Sequence, residues 1–152
     1  MINRRQFLRI TGAGAVGLVT SGMTSLLNAG EAKAARHESK GFAPDLDIAL
    51  KATAGESPIL PGDPTGVWQF QGQVLKGHRA SLVSLERSYL GPIIRARRGQ
   101  KVRIRFTNEI ADQTIVHWHG LHVPAAMDGH PRLVIPRGED YVYEFEVRNR
   151  AG

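Results

Sequence analysis

Period-two alternation over residues 101–107, and again over 141–148 with Val142 as its one exception, constrains this chain more than any other feature. Side chains that switch between apolar and polar at every step belong to strands with one buried face. In the first stretch Val102, Ile104 and Phe106 alternate with Lys101, Arg103, Arg105 and Thr107. In the second, Tyr141, Tyr143, Phe145 and Val147 alternate with Val142, Glu144, Glu146 and Arg148. A third run sets Leu46, Ile48, Leu50 and Ala52 against Asp45, Asp47 and Lys51. Shorter candidate strands lie at 67–70 and 73–75, on either side of Gly72, and at 114–119. Prolines and glycines punctuate the runs: Pro58, Pro61, Gly62, Pro64 and Gly66 mark a loop, as do Gly91-Pro92 and Gly99-Gln100. Residues 120–140 read mostly as loop. No stretch carries a useful amphipathic helix and no repeat is visible. Many short strands separated by turns predict an all-β chain, a β-sandwich of Greek-key type.

Length allows one domain, and the amino terminus takes part of it: the chain has 152 residues. Asn3-Arg4-Arg5-Gln6-Phe7-Leu8-Arg9 resembles a twin-arginine export signal, followed by a weakly apolar run over 10–27. Four glycines and several hydroxyl residues dilute that run below the roughly 20 strongly apolar residues of a spanning helix, so no stable membrane span is expected. Ala32-Lys33-Ala34 has the small residues of a cleavage site. The expected organisation is a signal peptide over 1–34, a flexible linker over 35–44 and a β domain over 45–152, with a periplasmic or extracellular destination.

The net charge of +6 is half a property of the leader, where Arg4, Arg5, Arg9 and Lys33 oppose Glu31. The basic cluster Arg95, Arg97, Arg98, Lys101, Arg103 and Arg105 is therefore read as a solvated strand face rather than as a nucleic-acid surface, because Arg103 and Arg105 alternate with apolar neighbours. There is no cysteine, which excludes disulfides and thiolate metal sites. Any metal held by this segment must use imidazole and oxygen ligands.

His117-Trp118-His119-Gly120 offers such ligands. On a strand, residues i and i+2 project from one face, so both imidazoles point one way and Trp118 the other. At about 3.3 Å per residue their Cα atoms lie about 7 Å apart, which suits two neighbouring ions better than one. The motif alone does not choose among zinc, copper, iron and nickel. A cupin would need a glutamate shortly after the second histidine, and the residues around Pro124 supply no carboxylate. A metal-dependent hydrolase barrel would need helices between its strands.

Together with Leu90-Gly91-Pro92-Ile93-Ile94-Arg95 upstream and Met127-Asp128-Gly129 downstream, the histidine motif resembles the first, cupredoxin-like domain of a laccase-like bacterial multicopper oxidase, from about Asp45 onward. The resemblance implies copper as cofactor, with His117 on the type 2 copper and His119 on one of the paired type 3 coppers. It implies Asp128 as the acidic residue that delivers protons to dioxygen by way of ordered water. It also implies four His-x-His pairs in a complete enzyme, whereas this chain has one. The expectation is an N-terminal piece, a sandwich incomplete at its C-terminus, either a truncated gene product or half of a split oxidase whose partner is a complementing C-terminal fragment. Dioxygen and a reducing substrate would be partners only of the complete enzyme, and the fragment alone would be inactive.

His37, His78, His122 and His130 are expected to be solvated or structural, and Met127 to be packing rather than a soft copper ligand. Two other readings remain open: a free-standing periplasmic copper-binding module, and a copper-free structural relative.

Overall fold

The computed structural model describes residues 37–151. The expected signal peptide lies outside them. A four-stranded sheet is the backbone of the fold, built from β1 (Leu46–Ser57), β2 (Thr65–Lys76), β5 (Lys101–Asn108) and β6 (Asp140–Glu146) in the order β2-β1-β5-β6. β1 and β5 run parallel, and the β1–β2 and β5–β6 pairs are antiparallel. Parallel neighbours cannot be joined by a tight turn, so the chain must leave the sheet between them. After β2, which stays in the sheet, it does so through a two-residue pair, β3 (Leu82–Val83) with β4 (Ile93–Ile94).

The three alternating runs meet in register. Leu46, Val102 and Phe145 form one rung across β1, β5 and β6; Ile48, Ile104 and Tyr143 form the next; Leu50, Phe106 and Tyr141 form the third. All nine side chains are buried. A slip of one residue would turn every one of them to the other face, so the pattern itself fixes the pairing. Ile110, Val116, Met127 and Ile135, from the loops, complete the core.

The opposite face departs from the sequence reading. Arg103 was expected to be solvated, yet it is buried between Asp47 and Glu144, its partners on the same rung. Its Nε donates to Glu144 Oε1 at 2.8 Å, and its guanidinium also lies 3.5 Å from Asp47 Oδ2. Arg105 makes a two-pronged contact with Asp47, at 2.9 and 2.8 Å. Residues 38–42, expected to be a flexible terminus, lie over this face. Ser39 N–H donates to Glu144 Oε2, the Phe42 carbonyl accepts from Arg103, and the Arg103 guanidinium sits 5.7 Å from the Phe42 ring centre. Glu38 pairs with Arg105, and that hydrogen bond holds the Glu38 carboxyl below its ordinary range. Asp47 and then Glu38 raise the Arg105 guanidinium in turn. Alternation separates an apolar from a polar face, but it does not say whether the polar face meets water or another piece of chain.

Two further differences concern lengths. The short strands around Gly72 are one continuous 12-residue strand, β2. The 120–140 loop contains two 3-10 turns, Ala125–Met127 and Pro131–Leu133.

Candidate metal centre

The histidine segment was expected to be a strand over 114–119, but it joins no ladder among the described strands. Thr114 alone makes a two-way bridge, with Ile135, at 3.0 and 2.8 Å. Beyond it the backbone is held by a side chain: Val116 N–H donates to the Tyr143 hydroxyl at 3.1 Å. The alternation nevertheless persists. Val116 is buried, and Trp118 packs edge-on against Tyr143 and tilted against Phe145, each at 5.6 Å between ring centres. With the even residues turned inward, His117 and His119 are exposed, and their rings meet edge to face 5.6 Å apart. Burial pushes the Tyr143 phenol up to about 12, with the Val116 N–H acting in the opposite direction, so this anchor stays neutral through ordinary pH.

Asp128 follows the Ala125–Met127 turn and reaches His117 in two ways. Its main-chain carbonyl lies 2.7 Å from His117 Nδ1, and its carboxylate Oδ1 lies 3.5 Å from the same nitrogen. A carbonyl oxygen only accepts, so Nδ1 carries a hydrogen, and in the neutral ring the lone pair is then on Nε2. That is the arrangement in which a ligating imidazole is oriented by its second nitrogen. The Asp128 side chain is 44% exposed, open to exchange protons with water.

The remaining candidates sit elsewhere. His78 Nδ1 accepts from Ala80 N–H and His130 Nδ1 accepts from Arg132 N–H, each capping a 3-10 turn. The His122 backbone N–H donates to Asn149 Oδ1, whose amide in turn donates to the Gly120 carbonyl. Met127 is buried, and its sulfur accepts the Glu144 N–H at 3.1 Å, which turns it away from any ion near the imidazoles. Sequence reasoning missed Asn149, which ties down the turn after His119, and Asn108, which is fully buried beneath the segment. Asn108 donates to the Asp112 and Ile135 carbonyls, both at 2.8 Å, and accepts from Ile110 N–H. A polar residue closing a strand gives no periodic signal. The one available hint was its place two residues after Phe106, the last apolar core residue of β5, at the next inward-facing position.

Residues 67–152 match the family model described as multicopper oxidase. The chain belongs to the multicopper oxidase family. Among curated relatives, multicopper oxidase mco of Staphylococcus aureus is 34% identical over 76 residues, covering 50% of this chain and 17% of the relative. The copper resistance protein A homolog of Pseudomonas syringae pv. tomato is 37% identical over 78 residues, covering 49% and 13%. Among solved structures, the McoA multicopper oxidase of Aquifex aeolicus aligns with a TM-score of 0.56 at 26% identity, covering 73% of this chain and 22% of that one. A multi-copper oxidase from Pseudomonas thermotolerans aligns with a TM-score of 0.52 at 31% identity, covering 66% and 22%. The chain thus spans less than a quarter of the length of each of these relatives.

Membership in the multicopper oxidase family makes the fold cupredoxin-like and the cofactor copper. The donors present fit that metal, because imidazole is a good copper ligand and both rings stand on one exposed side with His117 Nε2 free of the Asp128 contact. Among the described residues no three or more His, Cys, Asp or Glu side chains converge on one point, so the two imidazoles form an open, partial ligand set.

Proposed function

We propose that this chain supplies His117 and His119 to the trinuclear copper site of a laccase-like multicopper oxidase, His117 to the type 2 copper and His119 to one type 3 copper. The observation that carries this reading is the pair of exposed rings 5.6 Å apart, one of them with Nδ1 committed to a carbonyl. When bound, copper supplies the redox chemistry that couples oxidation of a reducing substrate to reduction of dioxygen to water. This chain's own residues do three things. The inward anchoring of Val116 and Trp118 fixes the direction of the imidazoles. The Asp128 carbonyl sets the His117 tautomer. The Asp128 carboxylate, half-exposed and 3.5 Å from the ring, holds and passes protons through water toward the site, where reducing one dioxygen consumes four.

The missing ligands come from a complementing part of the oxidase. Support for that comes from an open hollow of about 910 Å³ on the inner face of the sheet, lined by Ile94, Val102, Ile104, Trp118, Phe145 and Val147. Trp118, one of the lining residues, has its Nε1 hydrogen buried without a partner among the described residues. A second β layer packing on this face would cover Ile94, Trp118 and Val147, which are only partly buried. The leader makes the oxidase an exported protein, and no helix among the described residues is long and apolar enough to cross a membrane.

Calorimetric titration of the chain with Cu(II) tests the reading. Uptake that is weak, reversible and lost in His117→Ala and His119→Ala agrees with a two-imidazole contribution. The chain alone is expected to turn over no phenol, and copper-dependent phenol oxidation by the pure chain would refute the division of the active centre between two parts.

A further inference from the structure

Two tyrosines on one face of β6 hold the two pieces of chain that meet at the candidate site. The Tyr143 hydroxyl accepts Val116 N–H, one residue before His117. The Tyr141 hydroxyl donates to the Ala126 carbonyl at 2.6 Å, two residues before Asp128. Their rings lie 4.7 Å apart, so one strand surface anchors both segments at a fixed spacing. Met127, between Ala126 and Asp128, is buried and receives the Glu144 N–H of the same strand.

The segments then close on each other at Gly129. Its φ is +67°, and a Cβ there would lie 2.1 Å from the Val116 carbonyl oxygen, 2.6 Å from the carbonyl carbon and 2.9 Å from His117 Cα. Those neighbours are main-chain atoms of a segment whose Val116 N–H is held by Tyr143, so they cannot swing aside as a flexible side chain would. Only glycine permits both the backbone conformation and the approach. The consequence is the 2.7 Å contact between the Asp128 carbonyl and His117 Nδ1.

The geometry points to Tyr141, Tyr143 and Gly129 as a positioning clamp that sets the tautomer of His117, fixing the hydrogen on Nδ1 and leaving Nε2 for the metal. The clamp rests on the proposed copper role only for what Nε2 is aimed at. The tautomer itself belongs to the metal-free chain. None of the three residues touches the metal or the reacting oxygen, so they act through His117.

Two-bond proton–nitrogen correlation spectra of the metal-free, nitrogen-15-labelled full chain, recorded at mildly alkaline pH, read the tautomer of each histidine directly. In the wild type His117 is expected as the Nδ1–H form, opposite to the preference of a free imidazole side chain. Gly129→Ala is expected to invert the ratio toward Nε2–H, and Tyr141→Phe to lower it at least twofold. Asp128→Asn is expected to keep Nδ1–H, because the acceptor is a main-chain carbonyl. A wild-type His117 in the Nε2–H form overturns the clamp, as does loss of Nδ1–H in Asp128→Asn. Retention of the wild-type ratio in folded Gly129→Ala and Tyr141→Phe overturns it too, and if Gly129→Ala fails to fold, the Tyr141→Phe ratio alone decides. A correct tautomer in a chain that takes up no copper would overturn the proposed metal role and leave the clamp standing.

Discussion

Replacing Asn108 by alanine removes the knot that joins the end of β5 to the loops beneath the histidine segment. Three hydrogen bonds disappear, each with a net contribution of about 1 kcal/mol. The consequences at the three partners differ. The Ile135 carbonyl keeps the Thr114 N–H, and the Asp112 residue is exposed so that water can serve its carbonyl. The Ile110 N–H is left without its acceptor in a buried residue, which adds about 1–3 kcal/mol. The sum is about 4–6 kcal/mol, a large share of the roughly 5–15 kcal/mol that holds an ordinary domain together. In urea, with a slope of about 1.5 kcal/mol per molar for a chain of this size, the unfolding midpoint should fall by about 3–4 M. Asn108→Asp should cost at least as much. It keeps the acceptor for Ile110 but aims a second oxygen at two carbonyls that now sit 2.8 Å from a donor. An alanine variant within about 1 kcal/mol of the wild type, or an aspartate variant as stable as the wild type, would refute the reasoning.

The outer face and the proton path give further tests. Arg103→Met leaves the buried Glu144 carboxylate without its guanidinium and should cost about 3 kcal/mol in urea unfolding, with no change in copper uptake. Glu38 has its carboxyl held below the ordinary 4.5 by Arg105, so its contribution is complete above that pH and fades as pH falls through the lowered value. The wild type should therefore melt above Glu38→Gln at neutral pH, and the gap should close under acid conditions. In the complemented oxidase, Asp128→Asn should lower turnover by about a hundredfold while copper content is unchanged, measured by oxygen consumption and metal analysis.

The parts legible in the sequence were those that repeat. Alternation put Val102, Ile104 and Phe106 on one face of their strand and Tyr141, Tyr143 and Phe145 on one face of theirs; that the two sets share rungs is what the structure adds. The His117–Trp118–His119 spacing gave two imidazoles on one side even though no partner strand flanks them, because the anchors Val116 and Trp118 are themselves inward-facing residues of the same alternation. The parts that stayed hidden depend on residues far apart in the chain. Nothing local to Arg103 says that Asp47, Glu144 and Phe42 will enclose it. Nothing local to Gly129 distinguishes an Asp-Gly turn in solvent from one pressed against the Val116 carbonyl.

Electron spin-echo spectroscopy of Cu(II) bound to the chain tests the central claim most directly, since it detects the remote nitrogen of each coordinated imidazole. The account predicts remote-nitrogen modulation in the wild type that weakens in either His117→Ala or His119→Ala and vanishes in the double variant, while His78→Ala, His122→Ala and His130→Ala leave it unchanged. Modulation that survives the double variant would contradict it, because the copper would then be held by other residues.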